Sequence, residues 1–125
     1  MDLPGEVVPF QLIMSGKNSI NQEPAITVFR DSSGIMLVEV AGGQAGTGMA
    51  KLEVTTLRLY CGELTVYAVL RYPATGELAT RDIAYPFVTL TTPVHEGVVS
   101  LDLSVIRDTE SVVRHIKKVA PLAAP

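Results

Sequence analysis

Lys51 to Tyr60 reads K-L-E-V-T-T-L-R-L-Y, and Glu63 to Tyr72 reads E-L-T-V-Y-A-V-L-R-Y, with only Cys61-Gly62 between them. Both runs are rich in Val, Leu, Tyr and Thr, and their apolar residues recur at every second position. That period puts one side of an extended chain into a core and leaves the other in water. Two such runs around a glycine-containing link predict a β-hairpin. The first run breaks phase at Thr55-Thr56: Leu52 and Val54 share one parity, Leu57 and Leu59 the other. A β-bulge at the threonine pair restores a single apolar face, because one extra residue shifts the alternation by one.

The same reading extends along the chain. Val7–Met14 predicts a strand in which Pro9 marks an edge or a start. Ala25–Arg30 predicts a short strand bounded by Pro24 and the turn cluster Asp31-Ser32-Ser33-Gly34. Ile35–Val40 is nearly all apolar, as expected of a central strand covered on both faces. Ile83–Thr91 contains Pro86, which points to an edge strand or one broken by a bulge. Val98–Val105 alternates, with Val99, Leu101, Leu103 and Val105 on one face and Asp102 and Ser104 on the other. About seven short strands separated by turn signals, with no strand–helix alternation, predict a mainly all-β fold: an antiparallel sandwich or barrel.

The C-terminal segment reads differently. Asp108 or Thr109 can cap a helix on which Val112, Val113, Ile116 and Val119 form an apolar stripe, ended by Pro121. Arg114, Lys117 and Lys118 then suit the last turns, where cations complement the helix dipole. The expectation is a short C-terminal helix docked on the sheets, one β-rich domain over 1–119 and a loose tail over 120–125.

Composition limits the function. The 125 residues suffice for one core and leave two cores marginal. Charged residues are 18% and apolar ones 47%, which excludes a disordered tail. Net charge is −3 and no basic run exceeds Lys117-Lys118, so nucleic acid is not the expected partner. No apolar run approaches the ~20 residues of a membrane-spanning helix. Cys61 is the single cysteine and has no intramolecular disulfide partner. Met1–Glu6 shows no basic and apolar leader, so the default expectation is cytoplasmic, or envelope or secreted if an export signal has been removed.

Catalytic and metal signatures are missing. His95 and His115 with Cys61 give three widely spaced side chains, fewer than the four or so ligands of a structural zinc site. No Gly-x-Ser-x-Gly elbow presents a nucleophile. Asp102, Asp108 and Glu110 read as strand-face and helix-start residues. The expectation is therefore a non-enzyme with neither metal nor cofactor. Ser15–Ser19 reads as a turn, or as a loop held in shape by its own Ser and Asn side chains.

Two features remain for binding. Ala41–Met49 reads A-G-G-Q-A-G-T-G-M, and glycines allow backbone N–H groups to approach an anion. A phosphate loop opens a helix, whereas this stretch precedes a strand and lacks a Gly-Lys-Ser/Thr ending, which favours a plain connection. Tyr85-Pro86-Phe87 is an aromatic cluster that either packs in the core or forms a docking patch. The candidate contact residues are Gly43, Gly46, Thr47, Gly48, Met49, Tyr85 and Phe87.

Three segments resemble the PrcB C-terminal-like domain family, small β domains named for a protease-complex subunit. Phe10 to Phe29 carries Gly16, Ser19, Ile20, Glu23, Pro24 and Val28 in a strand, G-x-x-S-x-I, acid-Pro, strand order. Gly43 to Val54 is similar to the family's glycine loop and following strand. Leu64 to Leu90 has a strand, a Pro-Gly turn region at Pro73–Gly76, and Tyr85-Pro86-Phe87 entering another strand. Met49 and Ala50 stand where the family pattern has Gly-Tyr, and the C-terminal helical segment is additional. The resemblance implies a non-catalytic domain that supports a protein partner, often at the cell envelope. The expected function is thus a module that docks on or stabilises a protein or complex. The alternatives are a small-ligand binder, for a nucleotide or metabolite, using the Gly42–Gly48 loop, and a structural subunit of a larger assembly such as a phage particle. Homodimers through an edge strand or the C-terminal helix fit the same plan.

Overall fold

A computed structural model describes residues 3–30, 33–47, 49–73, 83–107 and 110–119. Among these run nine strands and no helix: β1 (Glu6–Val7), β2 (Gln11–Gly16), β3 (Pro24–Arg30), β4 (Ile35–Gly42), β5 (Lys51–Tyr60), β6 (Glu63–Arg71), β7 (Phe87–Pro93), β8 (Val98–Arg107) and β9 (Glu110–Val119). They form two sheets, β1-β5-β6-β8-β9 and β2-β7-β4-β3, with no barrel closure. The inward parity of each strand fills the space between them. Met36, Val38, Val40 and Leu90 of one sheet join Leu57, Leu64, Val66, Val99, Leu101 and Leu103 of the other in one buried aliphatic cluster.

The β5–β6 hairpin forms as its alternation predicts. Its register shifts between Val54 and Thr56, so Thr55 is the bulged residue and all four inward side chains of β5 face the core. Thr55 Oγ1 donates to the Tyr67 carbonyl at 3.1 Å. The link is a two-residue turn with positive φ at both Cys61 (49°) and Gly62 (77°), the hand that matches strand twist.

The structure corrects five expectations. First, the described residues hold nine strands, not seven. Second, the C-terminal segment is strand β9, not a helix: it pairs antiparallel with β8 from Val98↔Val119 to Arg107↔Glu110. The apolar stripe is equally a run of β-branched residues, which are weak helix formers, and without β9 the whole of β8 would be an unpaired edge. Third, the fold is not purely antiparallel, because β6 and β8 pair in parallel. The intervening β7 lies in the other sheet, so the chain leaves and re-enters the larger sheet running the same way. Fourth, Val7–Met14 is two strands. The chain crosses between sheets at Val8–Phe10, where Thr92 Oγ1 donates to the Pro9 carbonyl at 2.8 Å. Fifth, β7 is not an edge but lies between β2 and β4. Pro86 precedes it, so the missing N–H falls outside the ladder, and the Pro86 carbonyl accepts from Gly42 N–H at 3.0 Å.

β4 is interior, as its apolar run predicts. The Ser15–Ser19 loop is held by its own side chain: Ser19 Oγ accepts from Asn21 N–H at 3.0 Å. The caps Asp108 and Thr109, the turn residues Asp31 and Ser32, most of Pro73–Gly76 and the 120–125 tail lie outside the described residues. Among the described residues no helix is long and apolar enough to cross a membrane.

Candidate functional site

The sheets part at one end. β6, β8 and β9 carry Leu70, Tyr72, Val105, Arg107, Val112 and Arg114 along one wall, and Gln22–Pro24 with Gly42–Gln44 from the smaller sheet form the other. The cleft between them has a volume of about 490 Å³. Its floor is a continuation of the core. Val105 pairs with Val112 across the β8–β9 ladder, and Leu70 pairs with Val105 across β6–β8, so all three lie on the inward face. Leu70 is buried, whereas Val112 is 57% exposed. An inward-facing valine at an edge strand is thus more than half exposed, and the core opens to solvent there.

Charge gathers at the mouth. The Arg107 guanidinium lies 4.1 Å from the Tyr72 ring centroid, a cation–π contact that holds it flat against the wall. Arg114 projects from the same face of β9. Gln22 and Gln44 supply amides opposite, joined by a backbone bond from Gln44 N–H to the Gln22 carbonyl at 3.1 Å. Glu23 is the one acidic residue among the lining groups.

The glycine stretch contributes only its first part. Gly42, Gly43 and Gln44 line the cleft. Gly43 has φ +83°, and a Cβ there would stand 2.8 Å from Pro24 Cδ, so the close packing of the two loops needs glycine. Ala45 then forms a two-bond bridge with Ala84, at 2.8 and 2.9 Å. Thr47 is buried and accepts the Met49 N–H on Oγ1 at 3.1 Å. The N–H groups of Gly42, Gln44, Ala45, Met49 and Ala50 are directed at Pro86, Gln22, Ala84 and Thr47, so none of these five faces a ligand. Gly46 and Met49 are exposed away from the cleft walls, and Gly48 lies outside the described residues.

Tyr85 and Phe87 are half-buried. The backbone of Tyr85 bonds Lys17 and Ser19 at 2.7 and 2.9 Å. Phe87 packs on Gly16, where a Cβ would meet its ring at 2.7 Å. The Ala45–Ala84 bridge therefore joins the two candidate surfaces through the backbone. Gly43 faces the cleft, while Phe87 is in register with Gly16 and Ala41, on the parity of the smaller sheet that faces away from the core. Alternation marks Val105 as an inward strand residue, but Arg107, Val112 and Arg114 escaped sequence reasoning as site residues, the last two because a helical C-terminus put them elsewhere.

A second polar cluster sits on the outer face of the larger sheet. Ser100, fully buried, donates to Glu63 Oε2 at 2.7 Å, and Thr65 Oγ1 stands 3.1 Å from Ser100 Oγ. His115 Nδ1 is bonded to Asp102, and its Nε2 lies 3.8 Å from Glu63. Burial, and next the Asp102 carboxylate, push the Tyr67 phenol above its ordinary value. Serine, histidine and acid meet here, yet the serine proton goes to Glu63 and the hydroxyl is inaccessible. Nucleophilic attack needs the reverse: an exposed hydroxyl bonded to the imidazole. Elsewhere, His95 Nε2 donates to the Gly62 carbonyl at 3.0 Å and braces the hairpin turn. Among the described residues no group of three or more His, Cys, Asp or Glu is arranged to hold a metal ion.

Comparison with known proteins returned no matching family model, curated protein or solved structure.

Proposed function

We propose that this protein is a non-catalytic binding module whose cleft between β9 and the Gln22–Pro24 loop docks a protein partner. The observation that carries this reading is Val112, an inward-facing side chain left 57% exposed at the rim of the core. Burying an apolar side chain of that size contributes about 1.5–3 kcal/mol. With Val112 57% exposed, an isolated sandwich forgoes rather more than half of that contribution, and a docked segment recovers it. The mutual bonding of Ser100, Glu63, Asp102 and His115 supports the non-catalytic part, and the resemblance to the PrcB C-terminal-like domains points the same way.

The test is a photo-crosslinking amino acid at position 112, with a second at Glu53 on the opposite side of the larger sheet as control. The expected outcome is a discrete crosslinked protein from position 112 alone. Identical or empty capture from both positions removes the reading.

A second reading rests on the cleft volume, which suits a nucleotide or metabolite, with Gly43 and Gln44 on its wall. In a thermal-shift screen such a ligand at about 100 times its Kd adds about 2.7 kcal/mol of stability. No shift across nucleotides and common metabolites retires it. A structural subunit built through the β9 edge predicts self-association, and a monomeric mass at high concentration counts against that.

A further inference from the structure

The sandwich has four outer strands, and they differ in how they meet solvent. β1 is two residues long, β2 carries a register shift at Ile13, and β3 begins with Pro24. Short strands, bulges and proline all blunt an edge against pairing. β9 has none of these devices. It runs ten residues, about 33 Å at strand rise, in unbroken register with β8. Among the described residues no strand pairs with its far side in the sheet.

Charge makes the edge selective. The sequence of β9 carries Arg114, Lys117 and Lys118 against the single acid Glu110, in a chain whose net charge is −3. Arg107, ordered on Tyr72, adds a further cation at the cleft mouth. Two antiparallel copies of β9 bring the Glu110 of each near Lys117 and Lys118 of the other, but they set Arg114 against Arg114 and leave three cations per strand against one acid; like charges on neighbouring strands are destabilising. A second copy is thus the wrong occupant, and a segment bearing carboxylates is the right one.

We propose that an extended acidic segment of a partner protein adds alongside β9 as a sixth strand of the larger sheet. Its backbone pairs with the free edge, apolar side chains at alternate positions cover Val112, and its carboxylates meet Arg114, on the same face of β9 as Val112. This rests on the docking reading above and names its partner chemistry. Backbone pairing supplies sequence-tolerant affinity, and the alternate side chains supply selection. The planar guanidinium suits paired contact with carboxylates.

The probe is a fluorescein-labelled ten-residue peptide alternating Val with Glu, titrated against the full chain by anisotropy. Companion peptides replace Glu with Lys or place Pro at the centre. The expected result is salt-dependent binding of the acidic peptide only, with slowed amide exchange along β9. The variant R114E should weaken it about fivefold, as reversal of one exposed charge pair predicts, with unchanged thermal unfolding as the folding control. Equal binding of the lysine peptide, undiminished binding to R114E, or protection along β2 or β3 instead of β9 overturns the proposal. So does no binding of any peptide, in which case the cations serve only to guard the edge. The crosslink from position 112 separates these results from failure of the docking reading: a discrete partner captured there keeps docking alive when the acidic peptide fails.

Discussion

At the scale of the residue, the hairpin turn places chemistry where backbone conformation demands it. Cys61 is exposed and adopts φ 49°, a region that a residue with a Cβ enters at a cost of about 1–2 kcal/mol and that Asn tolerates best. Cys61→Asn should therefore raise the free energy of unfolding by about 0.5 kcal/mol, since Asn-Gly is the preferred pair for this turn. Gly62→Val should lower it by about 1–2 kcal/mol; its φ is 77° and nothing lies within 4 Å of its would-be Cβ, so strain alone acts. Urea titrations of both variants measure this, and a stabilised valine variant would contradict the turn. Tyr67 offers a second handle. Its folded-state value lies above the ordinary 10.0, through burial first and Asp102 second. The folded chain therefore holds that proton more tightly than the unfolded chain does. Its contribution is complete below pH 10 and is lost as pH rises through the raised value. Stability of the natural chain should fall above about pH 10 more steeply than that of Tyr67→Phe. Tyrosinate absorbance should show a phenol that titrates above the ordinary value missing from the variant. Parallel curves for the two proteins would dismiss the assignment.

At the scale of the element, two strands separate what pattern reveals from what it hides. The bulge in β5 was legible because Leu52, Val54, Leu57 and Leu59 cannot share a face without one. Removing Thr55 leaves L-E-V-T-L-R-L in perfect alternation, with the pairs on either side of the bulge brought into one register. The deletion should cost about 1 kcal/mol, the worth of the Thr55–Tyr67 hydrogen bond. Deleting Thr65 from β6 instead reverses the facing of half a strand and should abolish folding. Circular dichroism and a urea transition distinguish the two; equal damage from both would remove the bulge. β9 was not legible. Val112, Val113, Ile116 and Val119 satisfy a helical stripe, and the competing demand, the edge of β8 that β6 leaves open, comes from elsewhere in the chain. The two conformations sort the residues differently. A helix puts Val113 and Ile116 on one buried face, whereas in β9 Val113 faces outward and is 62% exposed, and Ile116 packs against the core. Val113→Ser should stay within about 0.5 kcal/mol of the natural chain, and Ile116→Ser should cost about 1–2 kcal/mol. Equal losses would restore the helix.

At the scale of the whole molecule, the first sixteen residues tie both sheets to the rest of the chain. β1 pairs with β5, β2 pairs with β7, and Val8 and Phe10 between them pack against the core. A chain beginning at residue 17 loses the outer strand of each sheet on one side. It should lose at least about 3 kcal/mol, the burial of one aromatic and one aliphatic side chain, or a large share of a small domain's stability. Chemical denaturation measures this; an unchanged midpoint would mean that the segment only decorates the sandwich. The cleft belongs to this scale as well. Gly43 was legible only as a candidate contact residue in a run of glycines; that Pro24 packs against it emerges from the fold. Arg107, Val112 and Arg114 carried no local signal, since their grouping depends on β8, β9 and the start of β3 ending at the same corner.

Alternation of apolar side chains is a property of neighbours two apart, so the sequence by itself determined most of the strands, the hairpin, the bulge and the aliphatic core. Whether a β-branched stretch becomes helix or strand, which strands run parallel, and where the core is left open depend on which backbone groups and side chains lack a partner once the rest has folded. Hydrogen-bond satisfaction and burial are settled by contacts distant in the chain, and only the tertiary structure decided those.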